Sequence, residues 1–276
     1  MTIERRADRI AFRISGPDAT HLLHDVLTPP VTAENAPARW FSLLTPQGKI
    51  LAEGLIGWAD NAYWLDVHDS VADNFFRRMR MYRLRAKVDI DRLDETHAVG
   101  WSVDPADGIV HQDGRADGLG YRVIAPIADA EGWADGTGQA RARIGLGIAE
   151  LGPDYAEDDV FPHDVGMDHL GGVDFKKGCY VGQEVVSRMQ HRGTARRRPV
   201  IVSGLGAAQQ GDSLVVGART AGTLGQPIDG RAVAIARIDR ITDPAAGTVN
   251  DAPVSLALPG WAQYGFAQSA TDSEDE

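Results

Sequence analysis

Beyond Pro199 the chain breaks into short apolar runs separated by glycines, at 200–203, 214–216, 231–238 and 254–258. These runs are too short for helices, and their spacing is that of a small closed β-barrel or sandwich. The first hundred residues follow a different rule. Ile10, Phe12 and Ile14 alternate as in a half-buried strand, and Gly16-Pro17-Asp18 then reads as a turn and helix cap. Ala19, Leu22, Leu23, Val26 and Leu27 recur at helical spacing. Thr45-Pro46-Gln47-Gly48 reads as a hairpin turn between strands at 40–44 and 49–58. A strand at 63–67 leads into a helix capped by Asp69 or Ser70 and running to about Tyr82, and a further strand is expected at 86–90. From 104 to 138 the chain is rich in Gly, Asp and Ala, and reads as loop around one strand at 121–125.

Strands and helices followed by β segments alone make this an α+β chain with a small C-terminal β-barrel. At 276 residues it exceeds the usual size of a single core. The expected units are an N-terminal α+β domain over 1–100, a middle α+β domain over 101–195, the barrel over 196–265, and a disordered acidic tail over 266–276. The first two are free to interleave.

A single cysteine, Cys179, rules out an intramolecular disulfide, a paired-cysteine zinc site, and a cluster held by four of the chain's own thiolates. No run of about 18 apolar residues occurs, so no membrane helix is expected. Met1-Thr2-Ile3-Glu4-Arg5-Arg6-Ala7-Asp8 has no apolar core and carries acids, so the expectation is a cytoplasmic protein without a leader.

The densest chemistry lies at Lys177-Gly178-Cys179-Tyr180-Val181-Gly182-Gln183-Glu184. Two glycines bracket Cys179 and Tyr180, which fits a tight excursion before a helix starting near Gly182. A helix N-terminus and two adjacent lysines would favour a thiolate at Cys179. A small buried hydrophobe is an equally weighted reading. No phosphate-binding G-x-x-x-x-G-K-[ST] occurs. His163, His169 and His191 do not share one helix face at metal-like spacing, and no protease signature surrounds the cysteine. Upstream, Phe161-Pro162-His163-Asp164 supplies a carboxylate able to pair with a pterin's amino and ring N–H groups. Asp164 and Glu184 are therefore recognition candidates.

The formal net charge is −11, which argues against a chain that coats nucleic acid over its whole surface. Two stretches break that pattern. Residues 77–87 carry six cations and 188–198 carry five, with no acid in either. Solvated faces account for half the weight. The other half goes to convergence on an anion: a folate's glutamate tail, a nucleic-acid backbone or an acidic partner.

The eight residues 177–184 resemble the signature of the YgfZ family, folate-binding-type relatives of the glycine-cleavage T-protein (aminomethyltransferase) that include mitochondrial iron–sulfur assembly factors. Gly16-Pro17-Asp18-Ala19 with Leu23 and Thr28 is similar to the family's opening helix. Tyr82-Arg83-Leu84-Arg85-Ala86-Lys87-Val88, Phe161-Pro162, Gly222-Thr223-Leu224 and Leu258-Pro259-Gly260-Trp261 extend the likeness over roughly 8–262. The resemblance implies three domains around a central channel and a role in maturing or repairing iron–sulfur enzymes, including cluster-dependent tRNA-modifying ones. It makes Cys179 the reactive thiol, and Asp164, Lys177, Tyr180, Gln183, Glu184, Arg188 and Arg83 the side chains expected to hold tetrahydrofolate. Its implied partners are a reduced folate and iron–sulfur scaffold or client proteins, with a cluster shared transiently between chains. Two departures stand out. Pro29-Pro30-Val31 follows Thr28 where relatives continue with an Asp-containing turn, and Ala52 precedes Glu53 where T-proteins resemble a pair of acids. The implied function is an assembly accessory protein rather than a classical enzyme. The alternatives are a tetrahydrofolate-dependent aminomethyl transferase and an RNA- or protein-binding module.

Overall fold

A computed structural model describes residues 2–193 and 195–267. The antiparallel order of the first sheet is Arg39–Leu44, Ile50–Ala59, Ala62–His68, Arg9–Ser15 and Asp89–Arg92. Two helices cover its apolar face: α1 (Ala19–Val26), which buries Ala19, Leu22, Leu23 and Val26, and α2 (Asp69–Arg83), which buries Val71, Ala72, Phe75 and Met79. Helix α2 is capped one residue earlier than expected, by His68, whose Nδ1 accepts the Ser70 N–H at 3.2 Å. The strand expected at 86–90 begins only at Asp89. Residues 84–88 are taken up by a turn in which Ala86 N–H bonds to Arg83 O and Leu84 adopts φ 44°.

The second sheet has the order Glu4–Arg5, His97–Ser102, Tyr121–Pro126, Ile109–Gln112. Because Glu4–Arg5 pairs with His97–Ser102, and that strand runs across residue 100, the two α+β units share chain. Two further short helices, α3 (Gly138–Gly145) and α4 (Gln183–Arg192), precede the barrel. Six strands close it in the order Arg197–Ser203, Arg231–Arg237, Arg219–Leu224, Ser213–Val216, Gly247–Val249, Ala252–Ala257. Its interior is a separate apolar cluster that includes Val200, Val202, Leu214, Ala234 and Leu256. Closure leaves no open sheet edge. The acidic residues from 268 onward lie outside the described residues. No helix among those described is long and apolar enough to cross a membrane.

Candidate functional site

The side chains of 177–184 mostly build a frame. Asp174 Oδ1 accepts the N–H groups of Lys176 and Lys177 at 2.7 and 3.2 Å, turning the chain after it leaves Thr28 O. Lys177 then swings its ammonium onto the carbonyls of His24, Leu27 and Pro29, where α1 ends with its acceptors unpaired. Burial pulls this ammonium down to about 8, although Asp174 and Asp25 oppose the shift. Tyr180 is buried beneath it, with the Lys177 Nζ 5.2 Å from the ring centroid. Gly182 takes φ 81° as the N-terminal residue flanking α4. A β-carbon there would sit 2.6 Å from Thr45 O, so only glycine lets the loop lie against the 45–48 turn. Gln183 reaches back toward Lys177 O at 3.5 Å. Held this way, Gly178 and Cys179 are exposed.

The lysine that was expected to favour a thiolate is thus spent on α1, while Lys176 is exposed. Glu184 and Arg188 point to solvent on α4. Asp164 lies in the one-turn helix Pro162–Val165, linked to α4 through His163 Nε2 and Gln190 Oε1 at 3.1 Å. Asp164 is 4% exposed, and its Oδ2 accepts the Phe161 N–H at 3.0 Å with Arg197 at 3.8 Å. Burial raises its pKa against those interactions. Arg83 stands apart, at the end of α2, with its Nη1 3.4 Å from Val88 O. Lys177, Cys179, Tyr180, Gln183, Glu184 and Arg188 therefore share one loop and helix, Asp164 adjoins it, and Arg83 does not.

The second basic stretch is split by the fold. Arg198 is buried in a bidentate pair with Asp168 at 2.7 and 2.9 Å, and Arg197 meets Asp159 at 3.4 Å. Arg188, Arg192 and Arg196 remain exposed.

Sequence reasoning missed a buried charge cluster where the two sheets, α3 and the barrel approach one another. Glu150 takes Arg6 at 2.9 Å and has Arg143, Arg9, Arg122 and Arg115 at 3.6–4.0 Å. Burial would raise its carboxylate, but Arg6, Arg9, Arg143 and Arg115 outweigh that and hold it well below the ordinary range. Arg9 also meets Asp66 and Glu53, and both Glu53 oxygens are committed, Oε1 to Arg9 and Leu151 N–H, Oε2 to Trp40 Nε1 at 2.6 Å. Ala52, where T-proteins carry an acid, is buried in the apolar core. A cavity of about 360 Å³ opens onto the cluster between Arg5, Arg6, Thr137, Arg143, Gln210 and Gln226. The missed signal was a lone charge inside an apolar strand: Glu53 in Ile50–Ala59, Asp66 in Ala62–His68, Arg122 in Tyr121–Pro126.

Residues 196–264 match the family described as CAF17, C-terminal beta-barrel domain. The chain is 32% identical over 211 residues to an iron–sulfur cluster assembly factor IBA57 homologue, mitochondrial, of Pyricularia oryzae, covering 69% of this chain and 54% of that protein. It is 29% identical over 259 residues to the protein of the same description in Chaetomium globosum, covering 78% and 59%. The chain thus spans little more than half the length of these relatives. The crystal structure of glycine cleavage system aminomethyltransferase T from Bartonella henselae superposes with a TM-score of 0.74, over 97% of this chain and 88% of that one, at 14% identity. That likeness is one of fold. The cytoplasmic expectation is corrected by the relatives, which are named as mitochondrial and point to mitochondria instead. Barrel, relatives and fold agree with one another: the chain is similar in sequence to iron–sulfur cluster assembly factor IBA57 homologues, ends in a CAF17-type C-terminal barrel, and shares the fold of aminomethyltransferase T.

Proposed function

We propose that this chain is an accessory protein of iron–sulfur cluster assembly, in which Cys179 contributes one thiolate to a cluster shared with a partner. The observation that carries this is an exposed thiol on a loop whose neighbours are pinned: Lys177 to α1, Tyr180 in the core, Gly182 against Thr45. One thiolate cannot hold a cluster. The remaining ligands must come from another protein, and the proton of Cys179 leaves to solvent as sulfur binds iron. A role toward cluster-dependent tRNA-modifying enzymes would follow from the identity of that partner.

The fold is compatible with a folate site, but this chain's residues do not fit the expected contacts. A pterin needs a carboxylate that presents both oxygens, and Asp164 is buried with Oδ2 given to its own backbone. Neither Ala52 nor the fully engaged Glu53 offers a free base for methylene transfer. These features favour an accessory role over aminomethyl transfer.

The test is cluster transfer from a reconstituted [2Fe–2S] scaffold, followed by visible circular dichroism, with wild type and Cys179→Ser. The expected result is a mixed cluster signal that the variant abolishes while its urea midpoint stays that of wild type. Identical signals from both proteins would remove the thiol from the mechanism.

A further inference from the structure

The exposed end of α2 joins three features that the cluster chemistry does not use. Arg77, Arg80, Met81 and Leu84 follow i, i+3, i+4, i+7 spacing, so they lie on one face of the helix and its terminus, and all four are exposed. Arg85 extends the face. Met81 is 56% exposed and Leu84 84%, the latter the most exposed large apolar side chain among the described residues. Among those residues, no acid lies within ion-pair distance of Arg77, Arg80 or Arg85, in a chain whose acids outnumber its cations by eleven. Leu84 has φ 44° and ψ −105°, outside even the left-handed region that asparagine and glycine favour.

Ordinary helix physics accounts for only part of this. Cations in the last turn complement the helix dipole, which explains Arg80 and Arg83. It does not explain Arg77 or Arg85, nor a leucine held in a costly backbone conformation while burying almost nothing. Glycine would satisfy that backbone without strain.

We propose that this face docks an acidic protein segment, whose carboxylates pair with Arg77, Arg80 and Arg85 around an apolar contact centred on Leu84 and Met81. The charge of the occupant follows from complementarity: Arg77 has only a 3.4 Å contact with Asn74 Oδ1 and Arg80 only the Phe76 ring, so guanidiniums without acidic partners on an otherwise acidic body steer and orient an acidic surface. Its class follows from the knob. Leucine and methionine fill an apolar pocket but offer no ring for base stacking, whereas the nearby Phe76 is half-buried, packed 6.1 Å from the Phe12 ring and covered by the Arg80 guanidinium at 5.6 Å. A protein segment with leucines among acids fits both features, and nucleic acid fits only the first. The proposal is independent of Cys179.

The experiment is fluorescence anisotropy of the full chain at low salt. The probes are a leucine–glutamate helical peptide of about 16 residues, an oligoglutamate and a single-stranded RNA of about the same length. The leucine–glutamate peptide is expected to bind at least about tenfold tighter than either other probe. Arg77→Gln with Arg80→Gln should weaken it by about tenfold. Leu84→Gly should weaken it by about fivefold while Tm holds or rises, which separates lost contact from lost folding. The proposal is overturned if that peptide does not bind, if oligoglutamate or RNA binds as tightly, or if either variant binds like wild type.

Discussion

Lys177 illustrates how a motif residue with catalytic looks can be structural. Its ammonium replaces the missing next turn of α1 as donor to His24 O, Leu27 O and Pro29 O, and so ties the cysteine loop to the first helix. Leaving buried acceptors unmet costs about 1–3 kcal/mol. Lys177→Met keeps the length of the side chain and removes only the donor. The expected outcome is a loss of about 1–3 kcal/mol in urea denaturation. An unchanged midpoint would mean that water supplies those carbonyls as well as the lysine does. Cys179, two residues on, makes no such contribution, because its side chain is exposed.

At the scale of elements, Gly182 is where α4 meets the hairpin turn. Its φ of 81° and the 2.6 Å approach to Thr45 O exclude any side chain. Gly182→Ala combines left-handed strain with a backbone clash, and should destabilise by about 1–3 kcal/mol. It should also weaken the cluster signal shared with the scaffold, because the loop no longer holds the exposed Cys179 in place. A cluster signal equal to that of wild type would show that Lys177 and Tyr180 suffice to hold the loop. The glycine, the hairpin turn and the helix start were all readable from sequence, because each depends on local backbone chemistry. The strand Arg219–Leu224 was not, since Gly222 and two threonines dilute its apolar pattern and the barrel neighbour, not propensity, makes it a strand. Ile109–Gln112 was hidden in the same way, with only Ile109 and Val110 apolar and its pairing to Tyr121–Pro126 set by the sheet. The candidate site divides likewise. Its loop was legible as a contiguous motif, whereas the Glu150 cluster assembles from charges spread between Arg6 and Asp154, whose meeting only the tertiary fold decides.

The whole molecule is joined by that cluster, since Arg6 comes from the turn between the first two strands, Arg9 from the start of the second, Arg115 and Arg122 from the second sheet's region, and Arg143, Glu150 and Asp154 from α3 and the segment after it. A buried ion network of this kind ties stability to protonation. Asp8 is brought down to about 2, because Arg6 outweighs the burial that would raise it. Its contribution is present above the ordinary carboxylate value and is lost as pH falls toward 2. Asp154 runs the other way. Burial and the charge of Glu150 push it from 3.8 up to about 6, despite Arg143 and the Glu150 N–H. Its folded form therefore holds a proton that the unfolded chain has released between those values, and its contribution falls as pH rises from about 4 to 6. Burial also lowers the pKa values of His163 and His111, so the total curve mixes several groups. The difference between wild type and Asp154→Asn isolates one of them. The wild-type advantage should shrink by roughly 3 kcal/mol between pH 4 and 6, from about two pKa units at 1.36 kcal/mol each. It should be level outside that window. A difference that stays constant, or grows with pH, would place the proton elsewhere in the cluster and leave Asp154 ionised alongside Arg143 throughout.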